Sequence, residues 1–125
     1  MTDAGAVGSP AADLPAEDAK LATLARGARG RVGATEGAAV RDETGRTYSG
    51  ASVALPSLTL SALQLAVAQA AASGARGLEA AVVVRVDAEV ATSDVDAVRD
   101  LGGAGVPVVV VGTDAAATVL ALRTT

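Results

Sequence analysis

The 125-residue sequence contains no cysteine and no histidine. These are the ligands that zinc and related metals prefer, and histidine is the one side chain that ordinarily titrates near neutrality. A disulfide framework, a Cys/His metal centre and histidine-based proton transfer are thereby excluded. Phe and Trp are also absent, Tyr48 is the sole aromatic residue and Lys20 the sole lysine. Half of the chain is hydrophobic, but that half is overwhelmingly Ala, Val and Leu. Its core must therefore be thin and rely on close backbone approach. No long apolar run is present either: residues 55–72 are interrupted by Pro56, Ser57, Thr59, Ser61, Gln64 and Gln69, too polar for a membrane span. Positive charge is in deficit, with 10 basic against 14 acidic residues, a net charge of −4 and a pI near 4.6. Long-range electrostatics then repel nucleic acid and anionic membranes, and neither is expected as a partner.

What remains fits one domain. Residues 1–14 are small, polar and acidic, and are expected to form a disordered tail ahead of a single domain over 15–125. Met1 to Ala19 lack Lys, Arg before Lys20 and any apolar stretch, which suits neither a secretory signal nor a basic transit peptide, so a cytoplasmic location is expected. Pro15, followed by Glu17 and Asp18, opens a first helix whose apolar face is Leu21, Leu24, Ala25 and Ala28; Arg26, Arg29 and Arg31 load its end before Gly33. Residues 37–41 and 46–53 read as a hairpin about Asp42-Glu43-Thr44-Gly45. A second, largely apolar helix is expected from Pro56 and Ser57 to about Ser73, closed by Gly74. The run within residues 78–86 marks a strand covered on both faces. A third helix over about 93–101 carries a capping-box-like Ser93 to Asp96 spacing, and residues 106–111 form another buried strand. Residues 118–122 are open between a terminal strand and a frayed end. This order implies an α/β fold of three α/β/α layers, with a mixed sheet that begins as an antiparallel hairpin and continues with parallel strands.

The order and local sequence resemble the short, zinc-dependent cytidine deaminase family. The resemblance runs from Gly37-Ala38-Ala39-Val40 through Thr44-Gly45-Arg46-Thr47-Tyr48-Ser49-Gly50 to Ser52-Val53, and into Ser61-Ala62-Leu63-Gln64-Leu65-Ala66-Val67. It spans roughly residues 21–111. In that family a His or Cys, then Ala, then Glu begins the second helix, and Pro-Cys-x-x-Cys begins the third. Here the first ligand position falls on Ser61, the proton-shuttling glutamate on Leu63, and the paired cysteines on about Asp94 and Ala97. The sugar-holding Asn and Glu fall on Ser52 and Ala54. Zinc lowers the pKa of bound water from roughly 15.7 to about 7, and a proton shuttle contributes roughly 10²- to 10⁴-fold. One hydroxyl, one carboxylate and a methyl group supply neither. The resemblance thus implies a retained scaffold without zinc, cofactor or catalytic residues, a pseudoenzyme.

Other features admit blander explanations. Asp87, Glu89, Asp94 and Asp96 suit either a hard cation or a solvated loop with helix N-terminal charges. Gly102-Gly103-Ala104-Gly105 leads from helix into strand, the reverse of a dinucleotide loop, and reads as a helix stop. Lys20 reads as a solvated charge. Ser57, Thr59 and Ser61 either meet a small polar ligand or cap the second helix. Three functions stay open: a protein-binding or self-assembling module, for which the Ala-rich second helix and the family's oligomeric habit suggest a dimer or tetramer; a nucleoside or nucleotide sensor contacting its ligand through Ser52, Ser57, Thr59 and Ser61; and a deaminase with a rearranged site.

Overall fold

The computed structural model describes residues 6–125. A short 3-10 turn, Ala11–Asp13, leads into α1 (Ala16–Val32). Two strands follow, β1 (Gly37–Asp42) and β2 (Thr47–Ala51), then a small hairpin of β3 (Val53–Leu55) and β4 (Leu58–Leu60), and α2 (Ala62–Ala72). The chain continues through β5 (Leu78–Val84), α3 (Thr92–Gly102), β6 (Pro107–Val111) and β7 (Val119–Thr124). The main sheet has the order β2-β1-β5-β6-β7. It is mixed as expected: β5 and β6 are parallel, while β1–β2, β1–β5 and β6–β7 are antiparallel.

Strand side chains alternate between the two faces, so β5 feeds two cores. Ala80, Val82 and Val84 pack with Leu21, Ala22 and Ala25 of α1 on one side. Ala81 and Val83 pack with Leu63, Ala66 and Ala70 of α2 and with Val98 of α3 on the other. Leu21 and Leu63 are fully buried, and each such leucine stabilises the fold by about 1.5–3 kcal/mol. The small side chains permit close layers. A Cβ on Gly37 would overlap the Ala25 carbonyl and stand 2.8 Å from the Arg29 Cβ, so β1 touches α1 through glycine. A Cβ on Gly50 would lie 2.8 Å from Leu65 Cδ2, so β2 does the same beneath α2.

Three expectations are corrected. First, the second helix does not begin at Pro56. Pro56 and Ser57 form the turn of the β3–β4 hairpin, because the fixed φ of proline suits a turn as well as a first helical position. The start is set by Ser61 and Gln64, which form a complete capping box. Second, the third helix starts one residue earlier than expected, with Ala91 as N-cap and no side-chain cap from Ser93. Third, residues 6–14 are not a free tail: Ala11 and Leu14 join the α1-side core, and Gly8 N donates to the Val119 carbonyl at 2.8 Å while Val119 N donates to that of Ser9 at 2.8 Å. Two isolated apolar side chains suffice there because β7 offers an open edge. Residues 1–5 of the expected tail lie outside the described residues. The end left open by the sequence is a strand, β7. Among the described residues no helix is long and apolar enough to cross a membrane.

Candidate functional site

The register places Gly37 beside both Ala51 and Val84, so the start of β1, the end of β2 and the end of β5 meet at one end of the sheet. The C-terminal end of α2 lies at the opposite end, beside the β1–β2 turn, and its N-terminus therefore rises over this one. Ser61 and Asp94 meet here. The Ser61 hydroxyl donates to Asp94 Oδ1 at 2.8 Å and accepts from Gln64 N at 3.0 Å, while Ser61 N donates to Gln64 Oε1 at 3.0 Å. Asp94 is 4% exposed and lies in the first turn of α3, where the helix dipole favours a negative charge. One serine thus caps α2 and ties it to α3.

The other candidate positions have different surroundings. Leu63 is wholly inside the α2–α3 core, and Ala97, one turn along α3 from Asp94, packs against that core. Ser52 holds the sheet end together: its Oγ accepts from Glu36 N at 3.2 Å and shares a 3.1 Å hydrogen bond with Thr35 Oγ1, and its backbone N–H donates to the Glu36 carbonyl at 3.1 Å. Ala54 and Ser57 are exposed on the β3–β4 hairpin. The structure thus joins Ser61 to Asp94 directly, sets Leu63 and Ala97 beneath them, and leaves Ala54 and Ser57 outside.

Sequence reasoning missed a second polar cluster at this end. Arg85, directly after β5, reaches Glu36 Oε2 at 3.2 Å and Asp87 Oδ1 at 3.3 Å. It shares strand parity with Ala81 and Val83, which places it on the α2–α3 side of the sheet. Its Nε is buried without a partner. The only sequence signal was a charge immediately before β1 and another immediately after β5. The acidic group proposed for a hard cation does not assemble: Asp87 is paired with Arg85, Asp94 is bonded to Ser61, and among the described residues no three His, Cys, Asp or Glu converge on one point. The largest electrostatic shift lies at the far end of the sheet. The buried Asp42 carboxylate accepts from Thr44 Oγ1 (2.7 Å), Tyr48 OH (2.8 Å), Thr44 N (2.8 Å) and Arg46 N (3.1 Å). These bonds, Thr44 hydroxyl foremost, hold its pKa at about 2 against the opposing effect of burial and raise that of Tyr48.

A mixed sheet with α1 on one side, α2 and α3 on the other, and two helix N-termini meeting over one end defines a deaminase-type α/β/α fold. A family profile described as cytidine deaminase-like matches residues 14–115, and the chain belongs to that family. Among solved structures it is similar to cytidine deaminase from Burkholderia pseudomallei, at 23% identity over 85% of this chain and 89% of that one, with a TM-score of 0.69. It is also similar to the enzymes of Mycobacterium tuberculosis (23%, 81% and 86%, TM-score 0.62) and Mycobacterium leprae (19%, 84% and 90%, TM-score 0.62). A sequence search of curated proteins finds no match.

The zinc that the family implies does not fit the side chains at the matching positions. Ser61 already donates its proton to Asp94 and Ala97 offers a methyl group, so Asp94 is the one strong oxygen donor of the three. A direct hydrogen bond from Ser61 to Asp94 instead links the two helices.

Proposed function

We propose that this chain uses the cytidine deaminase-like fold as a cytoplasmic self-assembling module and does not catalyse zinc-dependent deamination. The Ser61–Asp94 bond carries the second half of the proposal, with Leu63 buried where a proton carrier is needed. Support for assembly comes from charge. From Thr47 to Ala75 the chain carries no charged residue, although charged residues make up 19% of the whole. That segment supplies β2 at the edge of the sheet, the β3–β4 hairpin and α2. Pairing of Val53 with Leu60 and Leu55 with Leu58 puts all four on one face of the hairpin, where Leu55 and Leu58 are 57% and 49% exposed. A two-stranded hairpin is marginal alone in water, and interface cores are depleted of charge. Two chains of net charge −4 can meet over this surface without opposing like charges. The sensor alternative has less support, because the hydroxyls of Ser52 and Ser61 are engaged within the chain.

Sedimentation velocity at micromolar concentration is the test: a dimer or larger species is expected, and Leu58→Asp should shift it to monomer. A monomeric wild-type chain overturns assembly. Release of ammonia from cytidine by zinc-supplemented protein overturns the absence of catalysis.

A further inference from the structure

On the opposite face of the sheet, we propose that the cleft between the 3-10 turn, α1 and the loop before β7 binds a small amphipathic carboxylate. The cleft has a volume of about 520 Å³, within the range of about 300–1,000 Å³ typical of small-molecule sites. Its walls are mostly alanine, among them Ala11 and Ala12 from the turn, Ala19 and Ala22 from α1, and Ala116 and Ala117 from the loop. Their methyl groups leave the space open and make most of its lining apolar.

The charged side chains at the rim are cations, while the Thr23 hydroxyl already donates to the Ala19 carbonyl at 3.3 Å. Lys20, Thr23 and Arg26 line the cleft and no acidic residue does. Arg26 uses Nη1 on the Ala115 carbonyl at 3.2 Å. Lys20 meets Glu17 at 3.2 Å as an exposed pair, a type of contact worth little to the fold and readily exchanged for another acceptor. The Asp114 carboxylate, which feels the Arg26 charge, accepts from Thr118 Oγ1 at 2.6 Å and from Thr118 N at 2.9 Å. A ligand that fills an alanine-lined space and satisfies two cations must combine an apolar body with an anionic acceptor. A carboxylate accepts from guanidinium with favourable geometry.

The wall is preformed. Ala117 is 1% exposed and has φ +48°, the one positive φ outside glycine among the described residues. Left-handed backbone is unfavourable for an L-residue, and such strain persists only where the surroundings hold it. Here Ala117 N donates to the Asp114 carbonyl at 2.9 Å, and Ala11 N donates to that of Ala116 at 3.1 Å, pinning the loop to the turn. The strained residue shapes one wall while the 3-10 turn closes the other. The cleft shares no residue with the Ser61–Asp94 end or the uncharged surface, so its test is independent of the proposed assembly.

The probe is octanoate, with octan-1-ol as its uncharged counterpart and acetate as the charge without the apolar body. Calorimetry should show saturable one-to-one binding of octanoate, and amide chemical-shift changes should be confined to the turn, the outer face of α1 and residues 115–117. Octan-1-ol and acetate should bind at least about tenfold more weakly, and Arg26→Gln should weaken octanoate by about tenfold or more. Ala19→Leu, which fills the cleft, should abolish binding with the circular dichroism spectrum retained; if that variant fails to fold, the exposed Arg26→Gln exchange decides. Absence of saturable octanoate binding, equal binding of octan-1-ol, shifts located elsewhere, or indifference to Arg26→Gln would overturn the proposal.

Discussion

Replacing Ser61 by alanine removes two things at once. The first is an N-cap, whose loss costs about 1 kcal/mol, within a range of roughly 0.5–2. The second is the hydroxyl that serves Asp94, a carboxylate only 4% exposed; leaving a buried acceptor short of its partner costs about 1–3 kcal/mol. Together they predict a loss of roughly 2–4 kcal/mol, a large share of the roughly 5–15 kcal/mol by which domains of this kind are stable. Thermal unfolding should fall by roughly 8–16 °C at about 4 °C per kcal/mol. Ser61→Thr, which keeps the hydroxyl, should lose much less, as should Asp94→Asn, which keeps an acceptor at Oδ1. In a double-mutant cycle Ser61→Ala and Asp94→Ala should be coupled by about 1 kcal/mol or more. With no tryptophan in the chain, urea unfolding followed by far-ultraviolet circular dichroism is the suitable assay. A Ser61→Ala variant within about 0.5 kcal/mol of wild type, or additive single losses, would refute the role given to this bond, since unremarkable surface changes already fall in that range.

Three further outcomes are expected. The Asp42 carboxyl is lowered from 3.8 to about 2 on folding, so its contribution is fully present above about pH 4 and is lost as the pH falls through about 2; Asp42→Asn should flatten the acid limb of the stability profile, and an unchanged limb would count against the four hydrogen bonds seen here. Gly37→Ala should destabilise by about 1–3 kcal/mol, because the new methyl has no room beneath α1; denaturant midpoints check this. The combined exchange Ser61→Cys, Asp94→Cys and Ala97→Cys should create a site that takes up one cobalt(II), visible by its thiolate charge-transfer absorption, whereas the wild type should show none; failure of the triple variant to bind would mean that these positions do not converge.

Much of the layer structure was legible because it rests on local signals. Pro15 with Glu17 and Asp18, the apolar spacing from Leu21 to Ala28 and Gly33 at φ +64° mark α1, and the valine runs mark β5 and β6. The β3–β4 hairpin was not legible, since Pro56 and Ser57 satisfy a helix start and a turn alike; the pairing of Val53 with Leu60 decides between them. The anchoring of residues 6–14 was hidden as well, because hydrogen bonds to Val119 join segments more than a hundred positions apart. Of the candidate site, Ser61 and Asp94 were identified as positions but not as partners. Glu36 and Arg85 were missed altogether, since neither belongs to a local pattern.

The sequence alone determined which chemistry is absent. Without cysteine or histidine no arrangement of the chain supplies a Cys/His metal centre, and an alanine–valine composition determined a thin core whatever the topology. Tertiary structure decided which side chains meet at the end of the sheet. A serine and an aspartate 33 residues apart become a 2.8 Å hydrogen bond only when α2 and α3 pack side by side on the sheet. Burial then makes that bond matter, because a carboxylate removed from water must find its donors within the protein.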